Sequence, residues 1–117
     1  MAEYLPIFKP GQAVTLKASA AITGGQIVEV TGSGTVGPAG AASTKCVGVA
    51  GFDAAQNDNV TIYTGGVQHC TASGVIAAGD VVQAAAAGAI ATGAVAPLGI
   101  ALSAAANAAD VRVLFNR

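Results

Sequence analysis

The chain contains no Trp, one His, two Cys and five other aromatic residues, and only 9% of its 117 residues are charged. Each shortage excludes something. Sugar sites usually stack the ligand on exposed aromatics, which are scarce here. Nucleic-acid binding needs clustered cations, yet Lys9, Lys17, Lys45, Arg112 and Arg117 are scattered and the net charge is −1. One His and two separated Cys give no zinc-ligand spacing. Gly, Pro or polar residues interrupt every apolar run before it reaches membrane-spanning length. Met1 is followed by no basic and then apolar leader, so no signal peptide is expected. Synthesis in the cytosol is expected, with Cys46 and Cys70 reduced there, although the residues alone leave a bridge between them open.

What is present is small and apolar: 28 Ala and 16 Gly within a 53% hydrophobic sequence. A chain of this length forms one domain, burying roughly two thirds of its unfolded surface. Small side chains bury little area each, at about 25 cal/mol per Å². Contacts between copies are therefore expected to supply burial that the core lacks.

Apolar positions and turn glycines recur. Ile22, Gly25, Ile27, Val28, Gly34 and Val36 return 54 residues later as Ile76, Gly79, Val81, Val82, Gly88 and Ile90. Val47–Ala50 and Val60–Tyr63 return 51 residues later as Leu98–Ala101 and Val111–Leu114. The pattern predicts an all-β fold: a small barrel or sandwich of two tandem repeats of about 54 residues, the first about 13–64 and the second about 67–115. Residues 12–117 are read as a single β domain. The two repeats are expected to close on each other and cover each other's edges, since one short unit seldom buries its apolar face alone.

Val14, Leu16 and Ala18 alternate with Thr15 and Lys17, the period of a half-buried strand. Further strands are predicted at Gln26–Thr31, Cys46–Ala50, Val60–Thr64, Val67–Ala72, Asp80–Ala84, Ala89–Ala91, Leu98–Leu102 and Asp110–Phe115. Gly24-Gly25 and Gly32-Ser33-Gly34 read as turns, and Gly65-Gly66 as a hairpin turn. The Ala-rich stretches 84–87 and 104–109 favour helix intrinsically, but the recurrence places both in loops with room for one helical turn at most. Residues 1–11 form an extended arm, because Pro6 and Pro10 exclude helix. Its apolar residues Tyr4, Leu5, Ile7 and Phe8 need a docking partner, either this domain or a neighbour.

Reactive groups are few. His69 and Cys70 are adjacent on a predicted strand and point to opposite faces, so they cannot form a dyad. Cys70 falls in a core-facing slot and His69 in a solvent-facing one. Cys46 reads as a small hydrophobe. Asp53, Asn57, Asp58 and Asn59 suit a turn better than a calcium site, which needs more oxygen ligands in a tighter run. Gly32-Ser33-Gly34 lacks the Lys and following helix of a phosphate-binding loop. No catalytic, cofactor or metal site is expected, and the chain is not read as an enzyme.

The runs Ile22–Gly32, Thr35–Ala42 and Val47–Ala55, followed by Val60–Tyr63 and Gly65–Val67, resemble the capsid decoration, or cement, proteins of tailed bacteriophages, most closely the actinobacterial-phage type. The resemblance spans nearly the whole chain. It implies a mostly β protein that binds the outer surface of the mature head as a homotrimer, contacts the major capsid protein and resists internal DNA pressure. It implies neither a cofactor nor a nucleic-acid or membrane partner. Tyr4, Leu5, Pro6, Ile7, Phe8 and Pro10 are the candidate capsid or subunit contacts, chosen for their character. Two rivals are kept: another phage surface module recognising glycans or the host surface, and an enzyme with a cysteine nucleophile.

Overall fold

The computed structural model describes Tyr4, Ile7, Phe8 and residues 11–116. Ten strands and one 3₁₀ turn follow in order: β1 (Val14–Ala18), β2 (Ile27–Gly32), β3 (Thr35–Pro38), β4 (Cys46–Ala50), β5 (Asn59–Tyr63), β6 (Gly66–Thr71), β7 (Val81–Ala84), η1 (Ala86–Gly88), β8 (Ile90–Thr92), β9 (Pro97–Ala101) and β10 (Asp110–Phe115). The fold is all-β, with no α-helix among the described residues. β-Branched residues fill the strand interiors, where they pack well on a pleated surface. Alanine carries the loops. The run 84–87 ends a strand and enters η1, and 104–109 is an irregular loop with a single bridge at Ala105.

β1 to β5 close a barrel in the order β1-β3-β2-β4-β5, while β6 to β10 form a five-stranded sheet in the order β6-β10-β9-β7-β8. Closure depends on β1, which runs parallel to β3 and antiparallel to β5. The same registers recur across the second sheet. Leu16 opposes Val60 and Cys70 opposes Val111. Val30 opposes Val36 and Ala84 opposes Ile90. Val49 opposes Tyr63 and Ile100 opposes Leu114. The parallel pair Ala18–Val36 has its counterpart in the single bridge Ala72–Ile90.

Three readings of the sequence need correction. Thr35–Pro38 was not expected to be a strand, yet it forms β3. Its Gly and Pro mask a four-residue element that two neighbours impose. Gly65-Gly66 is not a hairpin turn: β5 pairs with β1 and β4, β6 pairs with β10, and the glycines link barrel to sheet. The two halves do not cover each other's strand edges either. No ladder among the described residues joins β1–β5 to β6–β10, because five strands suffice to close a barrel once β1 finds partners on both sides. The barrel has a core of its own, including Ala18, Val28, Val36, Val60 and Ile62.

The halves meet through side chains. Ile27, Ala39 and Val49, on the outside of the barrel, pack into the core cluster of the second sheet with residues such as Cys70, Ala84 and Leu98. Gln26 Nε2 donates to the Ala87 carbonyl at 2.9 Å, the Gly88 amide to the Ala39 carbonyl at 2.9 Å, and the Ala42 amide to the Ala84 carbonyl at 2.8 Å. Gly88 makes the approach possible. Its φ is +72°, and a Cβ there would lie 2.7 Å from Gln26 Cβ, a gap that only glycine leaves open.

Candidate contact surfaces

Of the candidate arm contacts, two of the described ones are largely open to solvent and the third, Phe8, is mostly covered. Tyr4 is 77% exposed and Ile7 is 91% exposed, with Phe8 less so. Leu5, Pro6 and Pro10 lie outside the described residues. The arm leads into β1, whose first residue, Val14, stands at one end of the barrel.

That end is an open mouth. Val14, Leu16, Cys46, Val47, Ile62 and Thr64 line a cavity of about 380 Å³. Its wall is mostly apolar because Leu16 of β1, Val47 of β4 and Ile62 of β5 point inward onto the barrel core. Val30, at the same end of β2, is 39% exposed.

A second apolar surface crosses the outer face of the β6–β10 sheet. Val67 opposes Leu114, Leu114 opposes Ile100, and Ile100 opposes Val81, so one row runs over four strands. Val67, Leu114 and Val81 are exposed and Ile100 is half-buried. Cross-strand neighbours on one face lie within side-chain contact. Sequence reading missed this row. Its signal was the consecutive pair Val81-Val82 and the run Val113-Leu114-Phe115, where alternation fails and both faces of a strand are apolar.

The reactive residues do not converge: Cys46 lines the mouth, His69 shares the outer face of β6 with Val67, and Cys70 faces inward. His69 is exposed, with its Nδ1 3.1 Å from Asp110 Oδ2 on the neighbouring strand. Cys70 faces the core. Burial, aided by the nearby Asp110 carboxylate, pushes its thiol up from 9.0 to about 12. A cysteine nucleophile needs the opposite shift. Cys46 Sγ donates weakly to the Ser43 carbonyl at 3.6 Å, and neither cysteine is in a disulfide. Asp53 Oδ1 accepts the Gly24 amide at 2.8 Å, and Asn57 occupies a left-handed turn position, so the acidic loop serves the backbone. No group of three or more His, Cys, Asp or Glu among the described residues is placed to hold a metal. Another cavity, of about 350 Å³, lies at the joint between the halves, lined by Thr23–Gln26, Thr71 and Ala86–Ala89. It carries no ionisable side chain. The arrangement offers contact surfaces of low charge rather than converging reactive groups.

Comparison with known proteins agrees with that character. A family model described as phage cement protein matches residues 8–116. Among solved structures, the N base of the head fiber gp8.5 of bacteriophage phi29 is similar in fold, with a TM-score of 0.69 at 18% identity, covering 89% of this chain and 92% of that one. No curated protein matches in sequence.

Proposed function

The chain belongs to the phage cement protein family, and from that premise we propose that it binds the outer surface of the mature head as a homotrimer and stabilises the shell against internal DNA pressure. Membership makes it a capsid-associated decoration protein; the trimer, the outer surface and the mechanical role are the further steps. The family match over residues 8–116 carries the reading.

Physical chemistry supports those steps. A shell under pressure loads the joints between its subunits. A protein bound across a joint adds its binding free energy to the assembled state and none to the ruptured one, which is mass-action stabilisation. Many copies on one symmetric surface reinforce each other by avidity. A closed three-copy assembly suits a local three-fold position between capsomers. The partner in this reading is the major capsid protein, met after synthesis in the host cytoplasm. Tyr4, Leu5, Pro6, Ile7, Phe8 and Pro10 are assigned to the contact, as an extended strap laid on the shell or on a neighbouring subunit. Exposed Tyr4 and Ile7 support this, since side chains that apolar gain most from being covered.

Deletion of residues 2–10 tests the assignment. Co-sedimentation with mature heads that lack the protein should fall to background, while the circular dichroism spectrum and melting temperature stay those of the full chain. Binding at full strength after the deletion removes the arm from the interface.

A further inference from the structure

The two halves of the chain bury opposite surfaces. On the barrel, the outward residues Ile27 and Val49 are 0% and 4% exposed because the second half covers them. Their register equivalents on the second sheet, Val81 and Ile100, carry no such cover, and Val81 is 38% exposed. The asymmetry reverses at the strand ends. In the second half, Ala84 is 1% exposed, and Cys70 and Leu98 are also buried, all three in the cluster that receives Ile27 and Val49. Their equivalents at the barrel mouth are Val30, Leu16 and Val47, which stay partly open; Leu16 and Val47 line the cavity.

Each chain thus makes one face-to-mouth contact internally and leaves a matching face and a matching mouth uncovered. We propose that the Val81–Ile100 face of one copy seats on the barrel mouth of a second copy at Leu16, Val30 and Val47, head to tail, repeating between chains the joint already built within each. The occupant is a second copy because the internal joint shows that a face of this register and a mouth of this register fit together. The side chains named on both surfaces are apolar, and the ionisable residues of the same outer face, Arg112, His69 and Asp110, lie further along β10 and β6, so the contact itself need not desolvate an ion. The contact is heterologous and leaves a free face and a free mouth until the copies close into a ring. Only the ring of three rests on the cement reading; the joint itself does not.

Sedimentation velocity of the full chain tests the joint, with Val81→Glu blocking the face and Val30→Glu blocking the mouth. Both positions are substantially exposed, so the variants should keep the parent circular dichroism spectrum. Ile100→Lys, opposite Val81 in the same row, replaces the face variant if Val81→Glu fails to fold. The full chain should sediment as a closed trimer and each variant alone as a monomer, a threefold drop in mass. An equimolar mixture of the two variants should give one-to-one dimers and nothing larger, because it retains one intact face and one intact mouth. A monomeric full chain at high micromolar concentration, folded variants that still associate, or a mixture that stays monomeric overturns the joint. Association that survives these substitutions but disappears on deleting residues 2–10 puts the arm in the mouth and overturns it too. A monomer that still decorates heads would refute the joint and spare the cement reading; a trimer that ignores heads would do the reverse.

Discussion

Cys70 faces the core of the second sheet, while His69, one residue earlier, stands at the surface beside Asp110. Strand alternation alone separates them, and it was visible in the sequence because Cys70 shares a slot with Leu16. The raised thiol has a consequence for stability. Between pH 9 and about 12 the unfolded chain has lost the Cys70 proton and the folded chain keeps it. Raising the pH through that window therefore favours unfolding. Chemical denaturation at a series of pH values should show stability falling from about pH 9 upward, with a flatter profile for Cys70→Ala. At pH 8, a thiol reagent should leave Cys70 unlabelled until the chain unfolds; rapid labelling of the native state would contradict its burial.

Strand positions were legible wherever β-branched residues cluster. Cys46–Ala50 and Asp110–Phe115 form where their composition predicts, and most of the others are displaced by one residue at both ends. β3 was not legible, since Thr35-Val36-Gly37-Pro38 is made a strand by β1 and β2 on either side of it. Nor was the role of Gly65-Gly66, because a glycine pair between two strands looks the same whether the strands pair or part. Glycine inside a strand is more informative. Gly99 lies in β9 opposite Phe115, and a Cβ there would fall on the carbonyl oxygen of Leu114. Gly48 in β4 stands in the same relation to the Tyr63 carbonyl. No rotamer relieves a clash between Cβ and backbone. Gly99→Ala should therefore force β9 and β10 apart and cost about 3 kcal/mol, read as a lowered denaturation midpoint. A midpoint equal to that of the parent would show that the crossing is looser than described.

Across the whole molecule, the core cluster of the second sheet includes Ile27, Ala39 and Val49 from the barrel. Strand ladders stay within each half, but packing does not. Ile27→Ala removes a fully buried side chain from the shared cluster and should cost about 2–5 kcal/mol. The loss should appear in one cooperative transition, because the cavity opens against both halves at once. Two separated transitions, with only the first moved, would mean that the halves unfold independently. The sparse aromatics and small side chains fit this arrangement: with little area per residue, a larger part of the burial comes from joints between units.

From its sequence alone the chain reads as all-β and poor in charge, since strand period and residue chemistry are local properties. The arm's apolar character was equally plain. The tertiary structure decided which apolar faces are covered. Ile27 and Val81 recur at the same spacing, each between a turn glycine two residues before and a valine after, yet one is sealed and the other is open to solvent. Burial depends on what packs over a strand, and the strand's own residues do not encode that.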